Sequence, residues 1–160
     1  MNNSEQTRKA TVTPTGDREI HIERVFDAPR DRVFAVFTDP KLIPRWWGPH
    51  GTETVVEEMD ARTGGDWRFL SRSSDGGEIT FRGTYREVTP PERIVQTFEW
   101  GGMPGYVSLD SAEFIDLGEQ TRVVSTSLFL TPEERDGMID SGMERGLNET
   151  YERLDAVLAA

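Results

Sequence analysis

From Glu19 the chain alternates strictly: Ile20 and Ile22 face one way, Glu19 and His21 the other, the period-two pattern of a half-buried strand. The same parity carries Phe26, and with it Arg24, to the apolar side. Val33, Phe34, Val36 and Phe37 then recur at helical spacing behind Asp27 and Pro29, which predicts a short helix with Asp27 as its N-cap. Asp39-Pro40 ends that helix, and a second short one runs from Lys41 to Trp46 until Gly48-Pro49 stops it.

Beyond His50 the pattern becomes one of strands. Apolar side chains alternate over 54 to 59, through Trp67, Phe69 and Ser71, through Ile79, Phe81, Gly83 and Tyr85, and through Ile94, Gln96, Phe98 and Trp100. Two further strands are predicted over 106 to 116 and 121 to 130. The short turns between them, such as Pro90-Pro91-Glu92-Arg93, imply an antiparallel meander. The end of the chain changes period again. Thr131, Pro132 and Glu134 make a capping box, and Met138, Ile139, Met143, Leu147, Thr150, Tyr151, Leu154, Val157 and Leu158 follow at three- and four-residue steps. One long amphipathic helix, roughly 40 Å at ~1.5 Å per residue, is expected there. Residues 1 to 16 are polar and end in Pro14-Thr15-Gly16, so they are expected to form a disordered tail before a single domain over 17 to 160.

Composition narrows the partners. A formal charge of −11 and a pI near 4.6 repel phosphate backbones and anionic headgroups, so neither nucleic acid nor a membrane surface is expected. The absence of cysteine removes disulfides, thiolate chemistry and sulfur-held metals. No apolar run resembles a signal-peptide core or a membrane span, and the cytoplasm is the expected compartment.

Several motifs stand in a particular order: Arg24-Val25-Phe26-Asp27-Ala28-Pro29, Thr38-Asp39-Pro40, Trp46-Trp47-Gly48-Pro49, Gly64-Gly65, Gly83-Thr84-Tyr85, Pro90-Pro91-Glu92-Arg93-Ile94 and the closing helix. Together they cover 18 to 158 and resemble the SRPBCC or START-like superfamily, and within it the homologues of the activator of the heat-shock protein ATPase. The resemblance implies an α+β helix-grip fold, the fold of the birch-pollen allergen. In it a curved antiparallel sheet of about six to seven strands wraps around a long C-terminal helix, with two short helices after the first strand. It also implies a role among ligand carriers, polyketide cyclases or chaperone-associated, stress-response proteins, and a chaperone ATPase as one candidate partner.

The site residues follow from where aromatic side chains should face. Two of the four tryptophans are adjacent, Trp46 and Trp47, stiffened by prolines and glycines. One is expected to point inward as a wedge and the other outward as the lip of a pocket. Trp67, Phe69, Phe81, Tyr85, Phe98 and Trp100 on the strands, with Met138, Met143 and Leu147 on the helix, are the expected lining of a cavity for a small hydrophobic or aromatic molecule. Methionine adapts to varied shapes, and Gly142 and Gly146 would let the helix backbone come close to the sheet or to a guest.

No motif demands catalysis. The two histidines, His21 and His50, lack metal-ligand spacing, His21 falls on the polar face, and neither metal nor cofactor is expected. Candidates for acid–base chemistry are His50, Tyr85 and Glu99, and Tyr106, Asp110 and Glu113 could serve if they face a cavity. Arg24, aimed at the apolar side, needs a carboxylate or a ligand anion. Three functions stay open on these residues: a hydrophobic-ligand carrier, a cyclase or dehydratase acting on a polyketide-like substrate, and a protein-binding module using Trp47, Ile43 and Met103. Monomer and homodimer are both compatible with them.

Overall fold

The computed structural model describes residues 9–160. Eight strands form one antiparallel sheet: β1 (Thr11–Thr15), β2 (Glu19–Phe26), β3 (Thr52–Met59), β4 (Asp66–Ser73), β5 (Glu78–Thr89), β6 (Arg93–Trp100), β7 (Val107–Asp116) and β8 (Thr121–Leu128). Their spatial order is β1-β2-β8-β7-β6-β5-β4-β3. Strands β3 to β8 are the expected meander. The one non-local pairing sets β2 on β8, from Glu19 opposite Leu128 to Phe26 opposite Thr121. Alternation in β2 is as the sequence reads: Ile20, Ile22, Arg24 and Phe26 are all buried while their neighbours are half-buried.

Among the described residues there are also four helices: α1 (Arg30–Thr38), α2 (Ile43–Trp46), α3 (Pro132–Asp140) and α4 (Met143–Ala159). Helix α4 crosses the inner face of the sheet, and its second half buries Tyr151, Leu154, Val157 and Leu158. Helix α1 closes the same end, with Phe34 and Phe37 edge-on to Phe114 at 5.0 and 5.2 Å between ring centroids. Full burial of each such side chain contributes ~1.5–3 kcal/mol. Inside this packed end Arg24, 3% exposed, donates through both terminal nitrogens to the Asp155 carboxylate at 2.6 Å. Its guanidinium also lies over the Phe26 ring at 4.5 Å. The buried cation that alternation predicts thus has its carboxylate, supplied by α4.

The structure corrects four expectations. Residues 11 to 15 of the expected disordered tail form β1, paired with β2 from Thr11 opposite Glu23 to Thr15 opposite Glu19. Residues 1 to 8 lie outside the described residues. As an edge strand β1 tolerates Pro14 and needs little apolar content, and it brings the strand count to eight rather than six or seven. Helix α1 has Pro29, not Asp27, at its N-cap: the Pro29 carbonyl takes the Arg32 and Val33 N–H groups and Asp27 is exposed. The single long terminal helix is two, because Gly142 adopts φ +82° and turns the chain between α3 and α4. The capping box does start α3, with the Glu134 N–H donating to Thr131 Oγ1 at 3.2 Å.

Candidate ligand cavity

Between the first half of α4 and the sheet lies a cavity of about 330 Å³, at the lower end of the ~300–1,000 Å³ usual for small-molecule sites. Trp67 and Phe69 of β4, Tyr85 of β5 and Phe98 of β6 form its sheet wall. Trp67 packs against Phe69 at 4.8 Å and against Phe98 at 6.0 Å. Met138 of α3 and Met143 and Leu147 of α4 line it from the helical side, all three half-buried.

Both tryptophans of the Trp-Trp pair line the cavity, so the expected inward-and-outward split does not occur. Trp46 is buried, its indole N–H donating to the Val36 carbonyl at 3.0 Å and its ring 4.9 Å from that of Phe37. Trp47, half-buried at the end of α2, sets its edge against Phe69 and Phe81 at 5.2 and 4.9 Å. What fixes this loop is Arg153 of α4, whose guanidinium donates to the Gly48 carbonyl at 3.0 Å and, more weakly, to those of Trp47 and Pro49 at 3.4 Å. Thr54 Oγ1 adds a 2.7 Å bond to the Trp47 carbonyl. Gly48 is required by its φ of +100° and by Thr52 Oγ1, 2.7 Å from where a Cβ would stand.

Phe81 and Trp100 are outside the lining. Phe81 lies behind it, packed on Trp47 and 5.6 Å from Phe98. Trp100 covers Gly102, where a Cβ would sit 2.4 Å from the indole. Gly142 and Gly146 do not bring the helix closer to anything, because a Cβ at either would meet open space. Gly142 is a junction, and Gly146 is simply next to unfilled volume.

The acid–base candidates separate in the same way. His50 is exposed, its ring nitrogen 3.0 Å from Glu152 and its peptide N–H on Glu149 at 3.1 Å. Glu99 accepts from Arg82 and from the Gly105 N–H, both at 2.7 Å, and these bonds hold its carboxyl below the usual range. It borders a charged groove with Glu58, Arg68 and Arg82, not the cavity. Tyr106 is exposed, and Glu113 pairs with Arg93 at 2.7 Å on the surface. Tyr85 does line the cavity, and burial pushes its phenol well above the ordinary value.

Asp110 is the carboxylate that faces the cavity. Gln96, Asp110 and Ser127 stand directly opposite one another on β6, β7 and β8, making one polar row across an otherwise apolar wall. Ser108 Oγ donates to Asp110 Oδ1 at 3.1 Å, and the Ser127 hydroxyl bonds the same carboxyl. Burial pushes the carboxyl up to about 6, with the hydroxyls of Ser127 and Ser108 opposing. Asp110 keeps some accessible surface, and that surface belongs to the cavity wall. Beside the row, Ser125 bonds the Tyr151 hydroxyl, whose pKa burial raises to about 12. Sequence reasoning missed Gln96, Ser108, Ser125, Ser127 and Tyr151 as cavity residues. The signal available was parity with Phe114, which puts Ala112, Asp110 and Ser108 on the inner face of β7.

Among the described residues no group of three or more His, Asp or Glu is placed to hold a metal ion, and no helix is long and apolar enough to cross a membrane. A sheet closed on a terminal helix around an internal cavity defines the helix-grip class. Within it, the model of the family described as "Activator of Hsp90 ATPase homolog 1-like protein" matches residues 27–159, and the chain belongs to that family. Among solved structures, it is similar to a protein from Arthrobacter aurescens at 26% identity, TM-score 0.86, over 93% of this chain and 91% of that one. A protein from Rhodobacter sphaeroides is 23% identical, TM-score 0.84, over 94% of this chain and 98% of that one. DynU16, a protein of the dynemicin biosynthetic locus, shares the fold at 17% identity, TM-score 0.66, over 91% of this chain and 48% of its own. No match is found among functionally curated proteins.

Proposed function

We propose that this protein binds a small hydrophobic or aromatic molecule in the cavity between the sheet and α4. The observation that carries the reading is the 330 Å³ of open volume walled by Trp46, Trp47, Trp67, Phe69, Tyr85 and Phe98. Trp47 and Phe98 are only half-buried by the protein, and the surface they leave open gains burial energy when a guest covers it, at ~25 cal/mol per Å². The half-buried methionines at the helical side suit a guest of variable shape. The test is native mass spectrometry of the purified protein followed by a thermal-shift screen of aromatic and lipid-like compounds. A co-purifying small molecule, or a rise in Tm with one compound class, is the expected result through binding linkage. An undecorated mass with no shift across the screen would overturn it.

A second reading, a cyclase- or dehydratase-like enzyme, is favoured by Asp110. A carboxyl facing open apolar volume, with its pKa raised to about 6 by burial, is suited to exchange a proton near neutrality. Tyr85, in the same cross-strand row beyond Gln96, would be its partner in place of His50 and Glu99. Turnover of a polyketide-like ketone by wild type and not by Asp110→Asn would establish it. A chaperone partner is suggested by the family description alone. The apolar patch expected for such a partner is divided, since Ile43 is 2% exposed, Trp47 faces the cavity and only Met103 stands free at 45%.

A further inference from the structure

The polar row inside the cavity is directional. The Ser108 and Ser127 hydroxyls each have one proton, and both are turned onto the Asp110 carboxyl. What these groups present to the open volume is therefore lone pairs: those of the two hydroxyls and the unused acceptor sites of a carboxylate that can take about four hydrogen bonds. Ser125, whose hydroxyl bonds Tyr151, adds a further hydroxyl beside them. Gln96, the remaining member of the row, can serve either way. Phe98 stands two residues along β6 from Gln96 on the same face, about 7 Å away, so acceptor floor and aromatic wall meet within one small molecule's length.

Resting on the reading of this cavity as a ligand site, we propose that its ligand is amphipathic. A hydrogen-bond-donating head, an amine or a hydroxyl, seats on Asp110, and the apolar body lies against Phe98, Trp67 and Phe69. A carboxylate head does not fit the seat on Asp110, because there it would bring acceptors to acceptors and, above the titration of Asp110, charge to like charge. The other titratable and charged groups around the head do not supply an anion site. Tyr151 reaches in from α4 and Tyr85 from β5, both neutral phenols at physiological pH. Arg24 of β2 is gripped by both oxygens of Asp155. The cavity-lining side chains of β6 and β8 that neighbour Asp110, Gln96, Ser125 and Ser127, do not titrate.

Three probes with one body and different heads test this: naphthylmethylamine, naphthylmethanol and naphthoic acid, titrated calorimetrically into the full chain. Because the chain carries −11 overall, the titrations are run at about 0.5 M salt, where surface charge is screened within a few Å. Near pH 8 the amine is expected to bind at least about tenfold more tightly than the acid, with the alcohol between them, and the amine's advantage should shrink towards pH 5 as the carboxyl takes up its proton. In Asp110→Asn the preference should fall to within about twofold at every pH. The pH series on wild type stands independently of whether that variant folds. If all three heads bind alike, or the acid binds best, or the preference survives in Asp110→Asn, the head-group assignment is wrong while the cavity remains a binding site. If none of the three binds, the assignment and the cavity reading fall together.

Discussion

Leu147 and Leu154 stand two turns apart on one stripe of α4, facing one sheet, yet Leu154 is fully buried and Leu147 is half-buried beside open volume. The difference lies in what the rest of the chain brings to each half. Against the second half, α1 delivers Val33 and Phe34, and β2 delivers Phe26, whose ring meets that of Tyr151, at the boundary with the cavity, edge-on at 5.1 Å. Against the first half the chain turns away at Gly142, and α3 buries none of its residues. Aromatic side chains of the same kind therefore make a core where a third layer covers them and a cavity where none does.

The largest expected effect sharpens that contrast. Leu154→Ala should cost about 3–5 kcal/mol by removing a fully packed side chain and leaving a void, whereas Leu147→Ala, which only enlarges an existing one, should cost less than about 1 kcal/mol. Urea denaturation of the two variants measures both, and equal losses would erase the distinction between the halves.

Each half also encloses a charge, and these differ as the packing does. Arg24 in the closed half meets Asp155 bidentately, while Asp110 in the open half is met by serine hydroxyls. The folded-state pKa of Asp110, about 6, lies above the ordinary 3.8, so the fold holds that proton more tightly than the unfolded chain does. This contribution is fully present below the ordinary value and is lost as pH rises through about 6, leaving the ionised carboxylate as a net cost at neutral pH. Asp110→Asn should accordingly stabilise the protein by on the order of 1–3 kcal/mol near pH 8, with little change near pH 4. Thermal melts at the two pH values check it, and a variant destabilised equally at both would contradict it.

A smaller effect is expected at the seam between the halves. Arg153→Ala removes the bonds to the carbonyls of Trp47, Gly48 and Pro49, at a cost of about 1 kcal/mol in stability. Faster amide hydrogen exchange should be confined to residues 47 to 52. Unchanged exchange there would mean that Gly48 and Thr54 suffice to hold the loop.

Much of this arrangement can be read from local pattern. Alternation aims Ile20, Ile22, Arg24 and Phe26 inward, and the turn residues delimit the meander, because both depend on neighbours in sequence. Strand β1 escapes the same reading because Thr-Val-Thr-Pro-Thr has one large apolar residue and owes its place to pairing with β2 at an edge. The break between α3 and α4 has a local sign, Ser141-Gly142, overridden by apolar spacing that runs unbroken through it. The polar row has none: Gln96, Asp110 and Ser127 lie on three strands and meet only through register. Likewise, both Trp46 and Trp47 face the cavity because Arg153, over a hundred residues later, sets the path of the loop that follows them.

The account's central claim is that the open half of the helix–sheet interface receives a guest, and the indole N–H groups report on it. Trp46 and Trp47 line the cavity, as does Trp67, whose buried N–H has no hydrogen-bond partner, while Trp100 lies outside it. The measurement is a two-dimensional ¹H–¹⁵N spectrum, with the indole signals assigned by Trp→Phe variants, during titration with naphthylmethanol. The account predicts that the Trp47 and Trp67 signals move in a saturable way while that of Trp100 stays in place. Stationary Trp47 and Trp67 signals, or movement of Trp100 alone, would contradict it.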